Sequence, residues 1–394
     1  MSRLLTFVLP FLGVVLLHAV PVVSLTLSAT AQAQPSFAQL PVIPSGPPQD
    51  RFLPNGISGD GRVVVGGYFD GTYVMGAIWS APTGTQLLSP LVSPADAASF
   101  DGSVVVGGFG VWTSSSLTSL PILPGPYHYA VGVSVTADGS MVVGNSVHSS
   151  PSIYYAPFRW TASGGLQALW ISPPGGLHEG RITVDASADG GVVVGRYHTY
   201  DLFAGGVIYG NGWRWTQATG MVPLSMPTGY TRTAAHAVSK DGLTTVGFAY
   251  SAAARVSRPF RWIPEPQPIP PLGGIQHETA QEVSGDGKIV LGFGLLPALP
   301  TAIAWMWTPA GGTRQLKQAL FDRGVVVPSG WSLVYPRGIS DDGTVMVGTG
   351  YNPAGHYVGW MAMLDAPCYP DCNGDSLLTV ADFGCFQNAY VTHV

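Results

Sequence analysis

Seven times along the chain an Asp-Gly pair follows a small or polar lead-in and precedes a short aliphatic run. The pairs are Asp60-Gly61, Asp101-Gly102, Asp138-Gly139, Asp189-Gly190, Asp241-Gly242, Asp286-Gly287 and Asp342-Gly343, spaced 41, 37, 51, 52, 45 and 56 residues apart. Self-similarity at this period constrains the fold more than any other feature. It marks an array of supersecondary units, each burying its apolar faces against the next. Asp-Gly favours a two-residue type I′ hairpin turn, because both central residues need φ > 0 and both residue types tolerate it. The runs that follow, such as Val63-Val64-Val65 and Val192-Val193-Val194, are unbroken rather than alternating. That pattern suits strands buried on both faces. The glycine closing most runs lets a neighbouring backbone approach closely.

A tryptophan follows each hairpin: Trp79, Trp112, Trp160, Trp215, Trp262, Trp307 and Trp360. A glycine turn and a short apolar segment then close most repeats, so one period holds four strands. Four strands in about 45 residues is the arithmetic of a β-propeller blade. The prediction is an all-β chain with a seven-bladed propeller of four-stranded antiparallel blades over residues 34–366. Composition agrees: charged residues make up only 10% and glycines number 52, which is poor in helix formers and rich in turns. A net charge of −5 with no basic stripe argues against nucleic acid as a partner.

Residues 1–33 read as a secretory signal peptide: Arg3, an apolar run from Leu4 to about Val23, then Ala31-Gln32-Ala33 as a small-x-small cleavage site. An uncleaved anchor is the alternative, disfavoured by Pro10 and Pro21. The mature protein is expected to be secreted or on the cell surface, monomeric, and without a membrane span after cleavage. The segment Phe37–Val42 precedes the first hairpin and matches the strand that ends other repeats, whereas the seventh repeat stops at its Trp360 strand. Pairing the two would close a ring and remove an exposed edge.

With their Ser-x-Asp-Gly-x-x-Val-Val-Gly and Phe-Arg-Trp elements, the repeats resemble the HAF-type extracellular repeat of secreted bacterial proteins over about residues 36–365. That resemblance implies a propeller and no settled chemistry.

Residues 367–394 differ in character. Asp371, Asn373 and Asp375 place oxygens at positions 1, 3 and 5 of a 12-residue loop, followed by the Leu377 carbonyl, Thr379 and Asp382. This is the ligand spacing of an EF-hand-like calcium site, and Ca²⁺ is the one cofactor expected. Asp382 opens a predicted helix through Phe383, Phe386 and Tyr390. The segment resembles one calcium repeat of a GC-type dockerin, which implies docking to a cohesin-like or cell-surface partner. It departs from that pattern in two ways: Ser376 stands at position 6, where Gly is preferred, and only one repeat is present, through truncation or degeneration of the other half. Cys368, Cys372 and Cys385 all lie here. A Cys372–Cys385 disulfide is favoured because each cysteine lies within the repeated motif; a zinc site is the rival and lacks a fourth soft ligand.

For chemistry, the seven Asp residues are weighed as a ligand ring against turn residues bonding their own backbone, and the second reading is preferred. The seven Trp residues are read as core between blades rather than a sugar platform. Arg159, Arg214 and Arg261 are expected to lie over neighbouring blades and satisfy carbonyls. Two His-Glu pairs, His178-Glu179 and His277-Glu278, each follow Gly-Gly and precede a unit's first strand. With His128 and His236 they are candidates to line a funnel mouth. No nucleophile elbow, zincin helix or phosphate loop is present in the sequence. The expected function is a non-catalytic secreted propeller for binding, adhesion or display, its ligand a polysaccharide or protein; the alternative is a carbohydrate-active enzyme. Two unpaired carboxylates facing each other in the funnel would favour the alternative. Isothermal titration of residues 366–394 is expected to show calcium uptake at millimolar concentration, weakened by Ser376; no uptake at that concentration counts against the loop.

Overall fold

The computed structural model describes residues 35–43, 50–149, 154–170, 179–201, 206–296 and 302–364, all within the compact unit Gln34–Val394. The signal segment, His178, the calcium loop and the three cysteines lie outside the described residues. The described strands sort into seven antiparallel four-stranded units, numbered here by their Asp-Gly pairs. Unit 1, for example, runs Arg51–Ile57, Val63–Phe69, Val74–Ser80 and Gly84–Leu87. Units 5 and 6 share a sheet only through the parallel bridge Ser257↔His277.

Unit 7 is completed from the other end of the described chain. Ser36–Gln39 pairs antiparallel with Tyr357–Met363 in the register Ser36↔Met363 to Gln39↔Trp360. Leu40 adds one more bond, its N–H donating to the Gly359 carbonyl at 2.9 Å. The closing strand is shorter than the expected Phe37–Val42, since Pro41 has no N–H to continue the ladder. Phe37 packs edge-on against Trp331 at 5.0 Å, and Leu40 is 1% exposed.

Seven hydrophobic clusters occupy the junctions between successive units, one per junction among the described residues. The valine runs explain this. Val64 faces the cluster shared with unit 7 and Val65 the one shared with unit 2; Val142 and Val143, and Val193 and Val194, divide in the same way. Successive side chains of a strand point to opposite faces, so a strand wedged between two units must be apolar at every position.

The glycine in each run also meets the expectation. A Cβ on Gly292 would lie 2.2 Å from the Trp305 ring and 2.3 Å from the Thr279 carbonyl, and Gly195 stands likewise against Trp213. This register corrects one equivalence. Trp360 lies opposite Gly348, as Trp305 lies opposite Gly292, whereas Trp307 pairs with Val290 and Trp160 with Val142. Trp360 therefore belongs to a second aromatic column with Phe158, Trp213, Phe260 and Trp305, not to the column of the other six tryptophans.

Because Leu40 completes the cluster between units 7 and 1, its burial alone is worth about 1.5–3 kcal/mol. Deleting residues 34–44 is expected to lower the melting temperature of the whole array in a single transition and to promote aggregation from the bared edge of unit 7. A deletion variant that melts at the wild-type temperature would refute closure by this segment.

Candidate functional site

At each Asp-Gly turn the aspartate serves the turn. The Ser or Thr two residues before it donates its hydroxyl hydrogen to the carboxylate at 2.5–2.9 Å, and the carboxylate accepts the N–H two residues on. These donors, led by the Thr136 and Ser187 hydroxyls, hold Asp138 and Asp189 below the usual carboxylate range. The turn itself is not the expected type I′ pair. The Gly61 N–H reaches the Ser58 carbonyl and the Ser58 N–H reaches the Val63 carbonyl, a four-residue loop. Only its glycine has positive φ, 73° at Gly61, which is a type I turn followed by a left-handed glycine.

Each turn is tied to the next unit through a backbone bond donated by the residue before the aspartate, or in unit 1 by Asp60 itself. The N–H groups of Asp60, Phe100, Ala137, Ala188, Lys240, Gly285 and Asp341 donate to the carbonyls of Phe100, Ala137, Ala188, Lys240, Gly285, Asp341 and Gly59 at 2.8–3.1 Å. The seven turns thus form a closed hydrogen-bonded ring around one end of a central channel.

Five residues before each aspartate, the innermost strand carries an extra residue. The ladders skip Asn55, Val133, Val184, His236, Gln281 and Arg337. In unit 2, Asp96 and Ala97 both face Val106. All seven of these bulge residues line a channel cavity of about 210 Å³. A bulge removes its residue from the ladder and re-aims the side chain. Polar side chains come from units 5, 6, 7, 1 and 2, and the two valines from units 3 and 4.

The channel is rich in buried carboxyls. Asp185 accepts from Ser134 Oγ at 3.0 Å and from the N–H groups of Ala186 and Val238 at 2.8 and 3.0 Å, bridging units 3, 4 and 5. Burial pushes Asp96 up to about 7, against the donors of Gly108 and Asn55. Glu282 is pushed up to about 8, first by burial and then by Asp185, with Arg337 and Lys240 opposing. Burial also raises Asp341. Asp185 is fully partnered and Glu282 faces two cations, so these two are not the unpaired pair that a hydrolase reading needs.

At the end away from the turns, the channel meets a larger cavity of about 500 Å³, which shares His236 and Gln281 with it. Arg196 of unit 4 and His277 and Thr279 of unit 6 line it, with Phe248 and Phe293 as apolar walls. His236 Nδ1 lies 2.9 Å from the Ala280 carbonyl. A carbonyl only accepts, so Nδ1 carries the hydrogen and Nε2 is left as an acceptor. Burial first, and the Arg196 charge second, depress His236 to about 4, so the ring is neutral at neutral pH.

Of the two His-Glu pairs, only His277-Glu278 lies wholly among the described residues, and both of its residues border the cavity. His277 lines the cavity, with Nδ1 3.4 Å from Ser257 Oγ. Glu278 is 1% exposed and its Oε1 accepts the Leu272 N–H at 2.8 Å, pinning the connector from unit 5. Its Oε2 is buried without a protein partner, and burial raises its pKa. Glu179 opens the first strand of unit 4, opposite Thr199. The registers Arg181↔Tyr197 and Thr183↔Gly195 match Glu278↔Gly294 and Ala280↔Gly292. Arg181 is therefore the counterpart of Glu278, and Glu179 sits two residues too early to match it. His128 stacks on His148 at 5.0 Å, away from the cavity. The interlocking arginines behave as expected: Arg159 lies over Trp215 at 5.0 Å, Arg261 over Trp307 at 4.6 Å, and Arg214 donates to the Gly242 carbonyl. No group of three His, Cys, Asp or Glu able to hold a metal occurs among the described residues, and no helix among them is long and apolar enough to cross a membrane.

No protein-family model matches the chain, and no curated protein matches its sequence. Solved structures do. An oligogalacturonate lyase from Vibrio parahaemolyticus superposes with a TM-score of 0.56 at 11% identity, over 84% of this chain and 97% of that one. An oligogalacturonate lyase in complex with manganese gives 0.54 at 12% identity over the same shares. The β-propeller domain of the Trilobed protease from Pyrococcus furiosus gives 0.46 at 12% identity, over 66% of this chain and 79% of that one. The first two likenesses show the fold, a β-propeller built from four-stranded antiparallel sheets.

Glu282 and Asp96 have folded pKa values above their unfolded ones, so the folded chain holds protons that the unfolded chain releases. Their stabilisation is complete at low pH and is lost as pH rises through about 7 and 8. His236, depressed to about 4, opposes this only below pH 6.5. Stability measured by urea denaturation is expected to fall from pH 6.5 to pH 8, and to fall less in Glu282→Gln. An equal fall in the variant would remove Glu282 as a source.

Proposed function

We propose that this protein is a secreted, non-catalytic propeller that binds a small polar ligand, with a saccharide end or branch as the best fit. The observation that carries the reading is the cavity of about 500 Å³ at one end of the channel, combining polar groups with two phenylalanine walls. Its size and mixed lining are those of a small-molecule site. Secretion rests on the signal-like residues 1–33. The tail supplies the tether: Asp371, Asn373, Asp375, Leu377, Thr379 and Asp382 bind Ca²⁺ and dock a cohesin-like or cell-surface partner. The seven units are taken as the seven blades of one monomeric ring over residues 34–366.

One observation favours the second reading, a carbohydrate-active enzyme. Glu282 stays protonated to about pH 8 beside Gln281, and such a carboxyl can act as a general acid at neutral pH. The likeness to oligogalacturonate lyases shows that this architecture carries such activity elsewhere. Incubating the full chain with an immobilised glycan panel separates the two. Retention of one saccharide class with no new reducing or unsaturated ends is expected. Release of such ends, abolished by Glu282→Gln, would establish the enzyme instead.

A further inference from the structure

Two side chains that line the larger cavity, His236 and Gln281, are bulge residues of innermost strands. Such bulges re-aim side chains and cluster at functional sites. Arg196 joins them from a regular ladder position, opposite Ile182 and Gly212, one residue after the glycine of its run as Phe248 and Phe293 are of theirs. The three polar side chains meet here from units 4, 5 and 6.

The lining has a definite polarity. Among its described residues Arg196 carries the positive charge, and the Glu278 carboxyl is 1% exposed and holds the Leu272 N–H. Further along the channel, towards the turns, lie Asp185 and Glu282. An anionic group entering the cavity is drawn to Arg196 and kept out of the acidic channel. Hydroxyl groups have matched partners nearer the channel: the bare Nε2 of His236 accepts, and the Gln281 amide both donates and accepts. Phe248 and Phe293 offer apolar faces to a ring.

Resting on the binding reading above, we propose that the cavity recognises a sugar acid, its carboxylate on Arg196 and its hydroxyls on His236 and Gln281. Neutral sugars lack the first contact, and simple carboxylates lack the second. A guanidinium–carboxylate hydrogen bond is among the stronger polar contacts, so the uronate is expected to bind at least about tenfold more tightly than its neutral counterpart, a difference of roughly 1.4 kcal/mol.

The test is calorimetric titration of the full chain at pH 7 with D-galacturonate, D-glucuronate, D-galactose, D-glucose, acetate and inorganic phosphate. The expected result is at least about tenfold tighter binding of one uronate over its neutral sugar, with acetate and phosphate weaker still. Arg196→Gln should bring the uronate down to the level of the neutral sugar, and Gln281→Ala should weaken both together. If Arg196→Gln does not fold, the wild-type ratio and Gln281→Ala still decide. Equal binding of uronate and neutral sugar overturns the sugar-acid inference and leaves the binding reading standing. Phosphate or acetate as tight as the uronate also overturns it, in favour of a plain anion site. Binding by none of the six overturns it too; a glycan panel that also retains nothing then takes the binding reading with it.

Discussion

The fit of each turn glycine against the preceding unit is the contact on which the ring depends. A Cβ on Gly61 would lie 2.8 Å from Val345, on Gly102 2.4 Å from Val63, and on Gly287 2.6 Å from Thr244, with the other four turns placed alike. The residue touched is always the third after the aspartate of the preceding unit, at or just before the start of its second strand. The same glycines have φ between 67° and 75°, where a side chain is strained in any case. One residue thus satisfies a backbone demand and a packing demand together. The buried Ser or Thr and the Asp beside it satisfy the loop N–H groups that no strand reaches, so the turn is fixed before its neighbour arrives. The bond from each turn to the next then has donor and acceptor already in place.

The bulge five residues before each aspartate sets one residue outside the ladder and against the channel. The apolar cost of folding is met elsewhere, in the seven clusters between units, so the expelled residue has no part in the core. It is therefore free to be Asn, Asp, Val, Val, His, Gln or Arg without loss of the ring. The structural and chemical roles fall on different positions of the same strand.

The parts of this design carried by local chemistry were legible in the sequence. Asp-Gly punctuation, unbroken valine runs and run-closing glycines gave the unit, and the mismatch of Phe37 and Trp360 strands gave the closure. What escaped depended on register. Trp360 looked like the seventh member of a series because it follows its hairpin at a similar distance, yet it pairs with Gly348 and belongs with Trp305. His277-Glu278 looked like a pair of ligands, and both border the cavity, but the Glu278 carboxyl is buried and pins Leu272. Of the channel residues only His236 was anticipated, although a signal for all seven was available: a constant offset from the aspartate. Identity varies there from Val to Arg, and a search for similar residues passes over the one column where dissimilarity is the point. The calcium loop and His178 lie outside the described residues.

Charge explains why the two cavities have different chemistry although they share His236 and Gln281. Near the turns, Asp96, Glu282 and Asp341 are buried deeply enough that ionising them is opposed, and Lys240 and Arg337 partly offset what charge remains. Such a region tolerates a neutral polar group and resists an anion. Away from the turns the described lining holds one carboxyl, the buried Glu278, the walls become aromatic, and Arg196 is the charge that a ligand of the proposed site would meet. His236 stands at the boundary, its Nδ1–H committed to the Ala280 carbonyl and its charge suppressed by burial and by Arg196. A neutral acceptor between Arg196 and an acidic channel would set which end of a ligand in the proposed site points inward. That polarity follows from two residues expelled by bulges, His236 and Gln281, and from one regular strand position, Arg196, and from nothing the turn aspartates do.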